Sequence, residues 1–262
     1  MNNRIVECFN ELKEKKEKAL ISFITGGDPD IETTEKLILT MEEAGVHMIE
    51  IGIPFSDPIA EGEVIQEATA RALSAGCTVD KLFDMVERLR KKTQMPLLFM
   101  TYANPIYVYG KERFIEKCRE VGIDGIIVPD LPFEEKDEFE GECSRNEIAL
   151  ISLIAPTSGE RVVKIAQEAQ GFLYCVSSLG VTGMRKKINT NLEVLIGQVR
   201  KTSSVPCAIG FGISTPEQAG ELASVADGVI IGSAIVKLVE EYGKDSVAYV
   251  EEFVKEVKKV LP

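Results

Sequence analysis

Two glutamates are the residues of this chain best suited to acid–base chemistry. Glu50 interrupts an otherwise apolar run at 47–53, and Glu61 lies in the turn-rich segment that follows. A carboxyl group withdrawn from water has a raised pKa, which suits it to proton transfer near neutral pH. Glu61, on a solvated loop, would accept a hydrogen bond at its ordinary pKa of about 4.3. The alternatives are a hydrogen-bonded structural carboxylate at 50 and a carboxylate without a role at 61.

The alternation of side chains along a strand indicates where Glu50 points. Ile49 and Ile51 form one face of the run, and Glu50 shares the other face with Met48 and Gly52. The more apolar face is the one expected to pack against helices. We therefore expect Glu50 to point away from the helices, toward the interior of the fold.

Three glycine-bearing turns late in the chain are suited to binding an anion. They are SLGVTG (178–183), GFGIS (210–214) and GSA (232–234). Small residues let backbone N–H groups approach a phosphate closely, and the N-terminus of a following helix adds its dipole. These turns predict a phosphate site, with simple turn formation as the alternative.

Charge and composition exclude several other kinds of site. The net charge of −12 argues against nucleic acid and anionic membranes as partners. The single histidine, His47, disfavours a histidine-rich metal centre, and we expect it to be structural. The six cysteines contain no C-x-x-C motif and are expected to be reduced. The first residues show no signal-peptide pattern, so a cytoplasmic location is expected.

The elements that position these residues alternate between apolar strand-like runs and helical patterns. The strand candidates are ALISFIT (19–25), HMIEIGI (47–53), PLLFMTY (96–102), DGIIVPD (124–130), ALISLIA (149–155), FLYCVSS (172–178), PCAIGFG (206–212) and DGVIIGS (227–233). Clear helical patterns occupy 34–45, 80–92, 111–122 and 215–224.

Eight strand–helix units in one chain predict an α/β fold, a (β/α)8 TIM barrel with an extra N-terminal helix, as a single domain over 1–262. That first helix carries Ile5, Phe9 and Leu12 on one face, which we expect to plug the bottom of the barrel. A doubly wound open sheet is the alternative. It is disfavoured because no G-x-G-x-x-G follows the first strand. In a barrel, the active site forms where the strands end.

The assembled motifs resemble the tryptophan synthase alpha chain family over nearly the whole chain. The matching stretches are FITGGDP (23–29), EIGIPFSDPIAEG (50–62), TYANP (101–105), VPDLP (128–132), YCVSSLGVTG (174–183), GFGIS (210–214) and GSAIVK (232–237). The resemblance implies a lyase that cleaves indole-3-glycerol phosphate to indole and glyceraldehyde 3-phosphate by a retro-aldol reaction.

The resemblance also implies roles for individual residues. Glu50 matches the principal acid–base carboxylate, and Glu61 stands where the family pattern has an aspartate. Asp57 and Thr182 match the two loop residues that meet when the site closes. The residues implied to bind substrate are Phe23, Met100, Tyr102, Ile127, Tyr174, Thr182, Gly183, Phe211, Gly212, Gly232 and Ser233. The segment from Leu179 to about Ile188 is expected to act as a lid.

The family resemblance further implies a partner, a beta chain that carries pyridoxal phosphate, in an α2β2 tetramer. It implies no cofactor for this chain itself. Three alternatives stay open from the sequence. The chain could be another phosphate-binding barrel enzyme, such as a sugar-phosphate isomerase or epimerase. It could be a protein that binds and switches a partner, or a stand-alone lyase that releases free indole.

Overall fold

Eight parallel strands form a closed barrel, in a computed structural model that describes residues 3–176, 185–210 and 212–262. Each strand pairs with its neighbours in chain order, and the last strand pairs with the first. The strands are β1 (Ala19–Thr25), β2 (Met48–Gly52), β3 (Leu97–Met100), β4 (Gly125–Ile127), β5 (Ala149–Ile154), β6 (Leu173–Val176), β7 (Cys207–Gly210) and β8 (Gly228–Ile231).

The helices lie outside this barrel, except for the first. They are α1 (Arg4–Lys15), α2 (Ile31–Glu43), α3 (Glu63–Ser74), α4 (Val79–Leu89), α5 (Ala103–Tyr109), α6 (Lys111–Val121), α7 (Asp137–Arg145), α8 (Arg161–Glu168), α9 (Arg185–Thr202), α10 (Pro216–Ala223), α11 (Ser233–Tyr242) and α12 (Ser246–Val260). Among the helices in the described ranges, none is both long and apolar enough to cross a membrane.

The predicted TIM barrel is confirmed, and every predicted strand is present, with β1 at its predicted bounds and the others shorter. The largest difference is at β4, which was expected over 124–130 but covers only Gly125–Ile127. Pro129 has no N–H to donate to a neighbouring strand, so the ladder stops just before it. The short strand leaves 128–132 as a loop at the mouth of the barrel.

The N-terminal helix plugs the bottom of the barrel, as its apolar face predicts. Ile5, Phe9 and Leu12 are buried among the inward-facing strand residues. The ring of Phe9 lies 5.7 Å from that of Phe172, which stands just before β6. Closing this end with apolar side chains keeps water out of the barrel from below.

A buried aspartate ties several elements together at the same end. Asp124, immediately before β4, accepts hydrogen bonds from Arg4 and Arg90, each at 2.8 Å. It also accepts the Leu97 backbone N–H at 2.9 Å. Its carbonyl oxygen accepts from the Asn3 side chain at 2.7 Å. A buried carboxylate with two guanidinium partners is stabilised strongly enough to hold α1, β3 and β4 in place.

His47 has a structural role near the start of β2. Its Nδ1 atom accepts the backbone N–H of Leu20 at 2.9 Å. Burial, assisted by the charge of Lys258, lowers the pKa of His47 to about 4. The ring is therefore neutral at physiological pH and serves as a backbone hydrogen-bond acceptor, in agreement with the structural role expected from the sequence.

Candidate active site

Glu50 lies inside the barrel, on the inward face of β2, as the strand alternation predicts. Its neighbours Ile49 and Ile51 face the helices, while Met48 faces the barrel interior. The side chain of Glu50 is fully buried, and neither carboxyl oxygen has a hydrogen-bond partner among the described residues. Burial raises the pKa of Glu50 to about 8. The carboxyl group is therefore largely protonated at neutral pH and can donate a proton.

Tyr174 lies on β6, four strands from Glu50 and thus on the opposite side of the barrel. Burial raises the pKa of Tyr174 well above its ordinary value, and the charge of Glu50 adds to the shift. The tyrosine ring lies directly over Gly210, where a Cβ atom would be 2.4 Å from the hydroxyl oxygen. A glycine at 210 is therefore required for the neutral phenol to fit inside the barrel, across from Glu50.

Phe23, on β1, provides an apolar surface next to Glu50, its register partner on β2. Its ring fits because the neighbouring position on β2 is glycine. A Cβ atom at Gly52 would lie 2.6 Å from the Phe23 ring. Met100 and Ile127 face the same interior from β3 and β4. These side chains form an apolar surface suited to a flat aromatic molecule.

Glu61 lies in the loop between β2 and α3, where Tyr102 holds the chain. The Tyr102 hydroxyl accepts the backbone N–H of Ala60 at 3.0 Å, and its ring packs against Phe55 with centroids 5.6 Å apart. Burial raises the pKa of Glu61, and interaction with the Tyr102 hydroxyl opposes that shift. The expectation of a solvated carboxylate with its ordinary pKa is wrong, because Tyr102 holds Glu61 half-buried against the rim.

The described part of the predicted phosphate site lies at the ends of β7 and β8. Gly212 has a φ of 75°, a conformation that favours glycine, and Ser233 is the first residue of α11. No side chain in the described part of the chain caps α11 at Gly232, which leaves the first-turn N–H groups to an external acceptor. The other predicted phosphate residues, Gly183 and Phe211, lie outside the described residues.

The two residues predicted to meet on closure are only partly described. Asp57 is exposed, and its carboxylate accepts a hydrogen bond from the Ser56 hydroxyl at 2.5 Å. Thr182 lies outside the described residues, as does most of the predicted lid from Leu179 to about Ile188.

The fold is a (β/α)8 barrel, and its interior carries a buried carboxyl group suited to acid–base chemistry. The family model described as tryptophan synthase alpha chain matches residues 9–261. A tryptophan synthase alpha chain from Alkaliphilus metalliredigens is 48% identical over 259 residues, which cover 98% of this chain and 97% of the relative. One from Caldanaerobacter subterraneus subsp. tengcongensis is 46% identical, with 99% of this chain and all of the relative covered.

Solved structures show the same similarity. Tryptophan synthase subunit alpha from Legionella pneumophila superposes with a TM-score of 0.90 at 37% identity, covering 99% of this chain and 98% of its own. A chain of the tryptophan synthase complex from Pyrococcus furiosus gives 0.83 at 35% identity, covering 92% and 98%. The chain belongs to the tryptophan synthase alpha chain family. It is a lyase of tryptophan biosynthesis that cleaves indole-3-glycerol phosphate to indole and glyceraldehyde 3-phosphate.

The buried carboxyl group at Glu50 should make the folded protein less stable as the pH rises. Its pKa of about 8 in the folded state exceeds the ordinary value, so stability is lost as the pH rises from about 4.5 through 8. We predict that Glu50→Gln gains on the order of 3 kcal/mol relative to the parent between pH 5 and pH 8. Urea unfolding at both pH values measures this difference.

The matched control is Glu252→Gln, at an exposed position of α12. Its stability relative to the parent should change by less than about 0.5 kcal/mol over the same interval. Equal pH dependence in the parent and Glu50→Gln would show that the Glu50 carboxyl group is not buried as described.

Proposed function

We propose that Glu50 is the acid–base group that breaks the carbon–carbon bond of indole-3-glycerol phosphate. The observation that supports this role is a fully buried carboxyl group with no hydrogen-bond partner among the described residues. Protonated Glu50 donates its proton to C3 of the indole ring, which weakens the bond from C3 to the side chain. The resulting carboxylate is then suited to take the proton of the adjacent side-chain hydroxyl as that bond breaks.

This sequence balances protons and electrons without a cofactor. The bonding pair between C3 and the side chain returns to the indole ring, which restores its aromatic system. The hydroxyl-bearing carbon becomes the aldehyde of glyceraldehyde 3-phosphate, and its proton regenerates the acid form of Glu50. The product indole keeps the proton delivered to C3.

Glu61 has a different task in this proposal. Protonation at C3 places positive charge on the indole nitrogen, and a carboxylate acceptor near the N–H stabilises that charge. Oε2 of Glu61 is buried and has no hydrogen-bond partner among the described residues, which leaves it available to the indole N–H. Tyr102 acts mainly by holding the backbone at Ala60, so that Glu61 is directed over the mouth.

The rest of the site binds the two ends of the substrate. Phe23, Met100, Ile127 and Tyr174 line the interior beside Glu50 and would enclose the indole ring. The phosphate would bind at Gly212, Gly232 and Ser233, supported by the uncapped N-terminus of α11. Gly183 and Phe211 would complete this end, and Asp57 would meet Thr182 on closure.

We propose that the chain binds a tryptophan synthase beta chain, which carries pyridoxal phosphate, in an α2β2 tetramer. The rim of the barrel beside the site exposes large apolar side chains on the loop between β2 and α3 and on α5, which follows the neighbouring strand β3. Ile59 and Val108 are 79% and 80% exposed, and Tyr107 is 49% exposed. Apolar side chains clustered at a rim are typical of a protein interface. A partner at this position would receive indole directly from the mouth.

The rim proposal predicts that Val108→Asp weakens association with a tryptophan synthase beta chain at least about tenfold. Sedimentation of mixtures of the two chains measures the affinity. Val163→Asp, at a partly exposed position of α8 away from the rim, should bind like the parent. Equal affinity for Val108→Asp and the parent would refute the rim as the interface.

We also propose a cytoplasmic location and a single domain over 1–262. All six cysteines are free thiols, as expected in a reducing compartment. The closed barrel brings the first and last strands together, which favours one folding unit. Cell fractionation tests the location, and a membrane-associated pool would count against it. Urea unfolding tests the single domain, which predicts one cooperative transition rather than two.

The assignment of Glu50 predicts that Glu50→Gln folds but loses about 10³-fold in turnover, because removal of an acid–base group typically costs 10²–10⁴. Release of indole from indole-3-glycerol phosphate by the purified chain measures the rate. For the parent, kcat/KM should fall as the pH rises through about 8, since the protonated form starts the reaction. Near-parent turnover in the glutamine variant would refute the role.

The assignment of Glu61 predicts a graded loss. Glu61→Asp should lower kcat/KM about tenfold, because a displacement near 1 Å at a reacting centre costs up to about 10²-fold. Glu61→Ala should lower it by about 10² or more. An alanine variant as fast as the parent would show that Glu61 does not contact the substrate.

A further inference from the structure

A partly buried ion pair connects α3 to the loop after β1. Arg71, on α3, donates to both oxygens of Asp28 at 3.0 and 2.9 Å, and Asp28 is only 2% exposed. The guanidinium also approaches Glu240 of α11 at 3.6 Å. Two parallel N–H···O bonds fix the relative orientation of the groups as well as their distance. Arg71 therefore restrains α3 against the barrel from one side and meets α11 on the other.

The position of Glu61 depends on α3 because the two are directly joined. Gly62 is the N-cap of α3, so Glu61 stands immediately before it. The side chain of Gln66, in the second turn of α3, donates to the backbone oxygen of Glu61 at 2.8 Å. A shift or rotation of α3 would move the Glu61 backbone with it. Its other restraint is the bond from Ala60 to Tyr102.

The N-terminus of α3 has few restraints of its own. Gly62, the N-cap, has no side chain that could bond to the free N–H groups of the first turn. Two inward residues, Ile65 and Ala68, pack against Phe23 and Val236. Such apolar contacts are not directional, so they permit a helix to slide or rotate. The bidentate pair at Arg71 supplies the directional restraint.

The charge of Asp28 itself depends on this contact. Burial pushes the pKa of Asp28 upward, and Arg71 opposes that shift. Without the guanidinium, a carboxyl group in this position would be left buried without its charged partner. Loss of either residue therefore removes the restraint that the pair provides. A lysine at 71 cannot reproduce the two parallel hydrogen bonds.

We propose that Arg71 is a positioning residue for Glu61, acting through Asp28 and the orientation of α3. This inference rests on the proposed role of Glu61 as the acceptor of the indole N–H. The ion pair sets where the carboxylate of Glu61 stands relative to the barrel interior, and thus its alignment with the indole ring. The phosphate end of the site lies at the N-terminus of α11, at Ser233, whereas Arg71 meets α11 near its other end, at Glu240.

A double-mutant cycle tests whether Arg71 acts through Glu61. Arg71→Lys and Asp28→Asn are each made in the parent and in Glu61→Ala, and indole release from indole-3-glycerol phosphate gives kcat and KM. Binding of glycerol 3-phosphate, which contains the phosphate end alone, is measured in the same variants. Arg88→Lys is the control for replacing an interhelical arginine, because Arg88 joins α4 to α2 through a single, more exposed 3.0 Å pair with Glu35.

In the parent, Arg71→Lys and Asp28→Asn should each lower kcat about tenfold, as expected for a displaced reacting group. In the Glu61→Ala background the same changes should alter kcat by less than about twofold, since residues that act together are not additive. Glycerol 3-phosphate should bind every variant within about twofold of the parent, and Arg88→Lys should have parental kcat.

Three results would overturn the proposal in distinguishable ways. An equal fold loss for Arg71→Lys in both backgrounds would show a merely structural role for the pair. Full activity of Glu61→Ala alone would remove the proposed function of Glu61, and with it the basis for this inference. A parallel loss of glycerol 3-phosphate binding would show that Arg71 supports the whole barrel mouth rather than Glu61.

Discussion

The proposed mechanism depends on the exclusion of water from one carboxyl group, that of Glu50. Glu50 has no hydrogen-bond partner among the described residues, so the protein holds an acid whose charged form it disfavours. This arrangement requires the rest of the barrel to exclude water from below. It also requires enough space above for a flat apolar molecule. A buried polar group without a partner destabilises a fold, and such a group is retained where it has a function.

The bottom of the barrel carries the contacts that stabilise the fold, and the top carries the residues proposed to act on the substrate. At the bottom, α1 fills the opening with apolar side chains, and Asp124 ties α1, β3 and β4 with charged hydrogen bonds. At the top, polar groups lack hydrogen-bond partners among the described residues. Examples are Oε2 of Glu61 and the first-turn N–H groups of α11. A rigid lower end allows the upper loops to differ in sequence and to move without loss of the fold.

Much of this arrangement could be predicted from the sequence, because it depends on local patterns. Apolar runs located all eight strands, and alternation along 47–53 placed Glu50 in the interior. The burial of Glu61 could not be predicted in this way. It depends on Tyr102, which is 42 positions from the backbone N–H that it binds. The pair between Arg71 and Asp28 likewise joins residues 43 positions apart. Neither contact has a periodic signature, since each is formed only when the barrel closes.

The most direct test of the account is the protonation state of Glu50 in the folded protein. Infrared difference spectra of the parent minus Glu50→Gln isolate the carboxyl C=O band of this one residue. The account predicts a protonated carboxyl band at pH 6 that disappears with a midpoint near pH 8. A carboxylate already ionised at pH 6, with no protonated band, would contradict it.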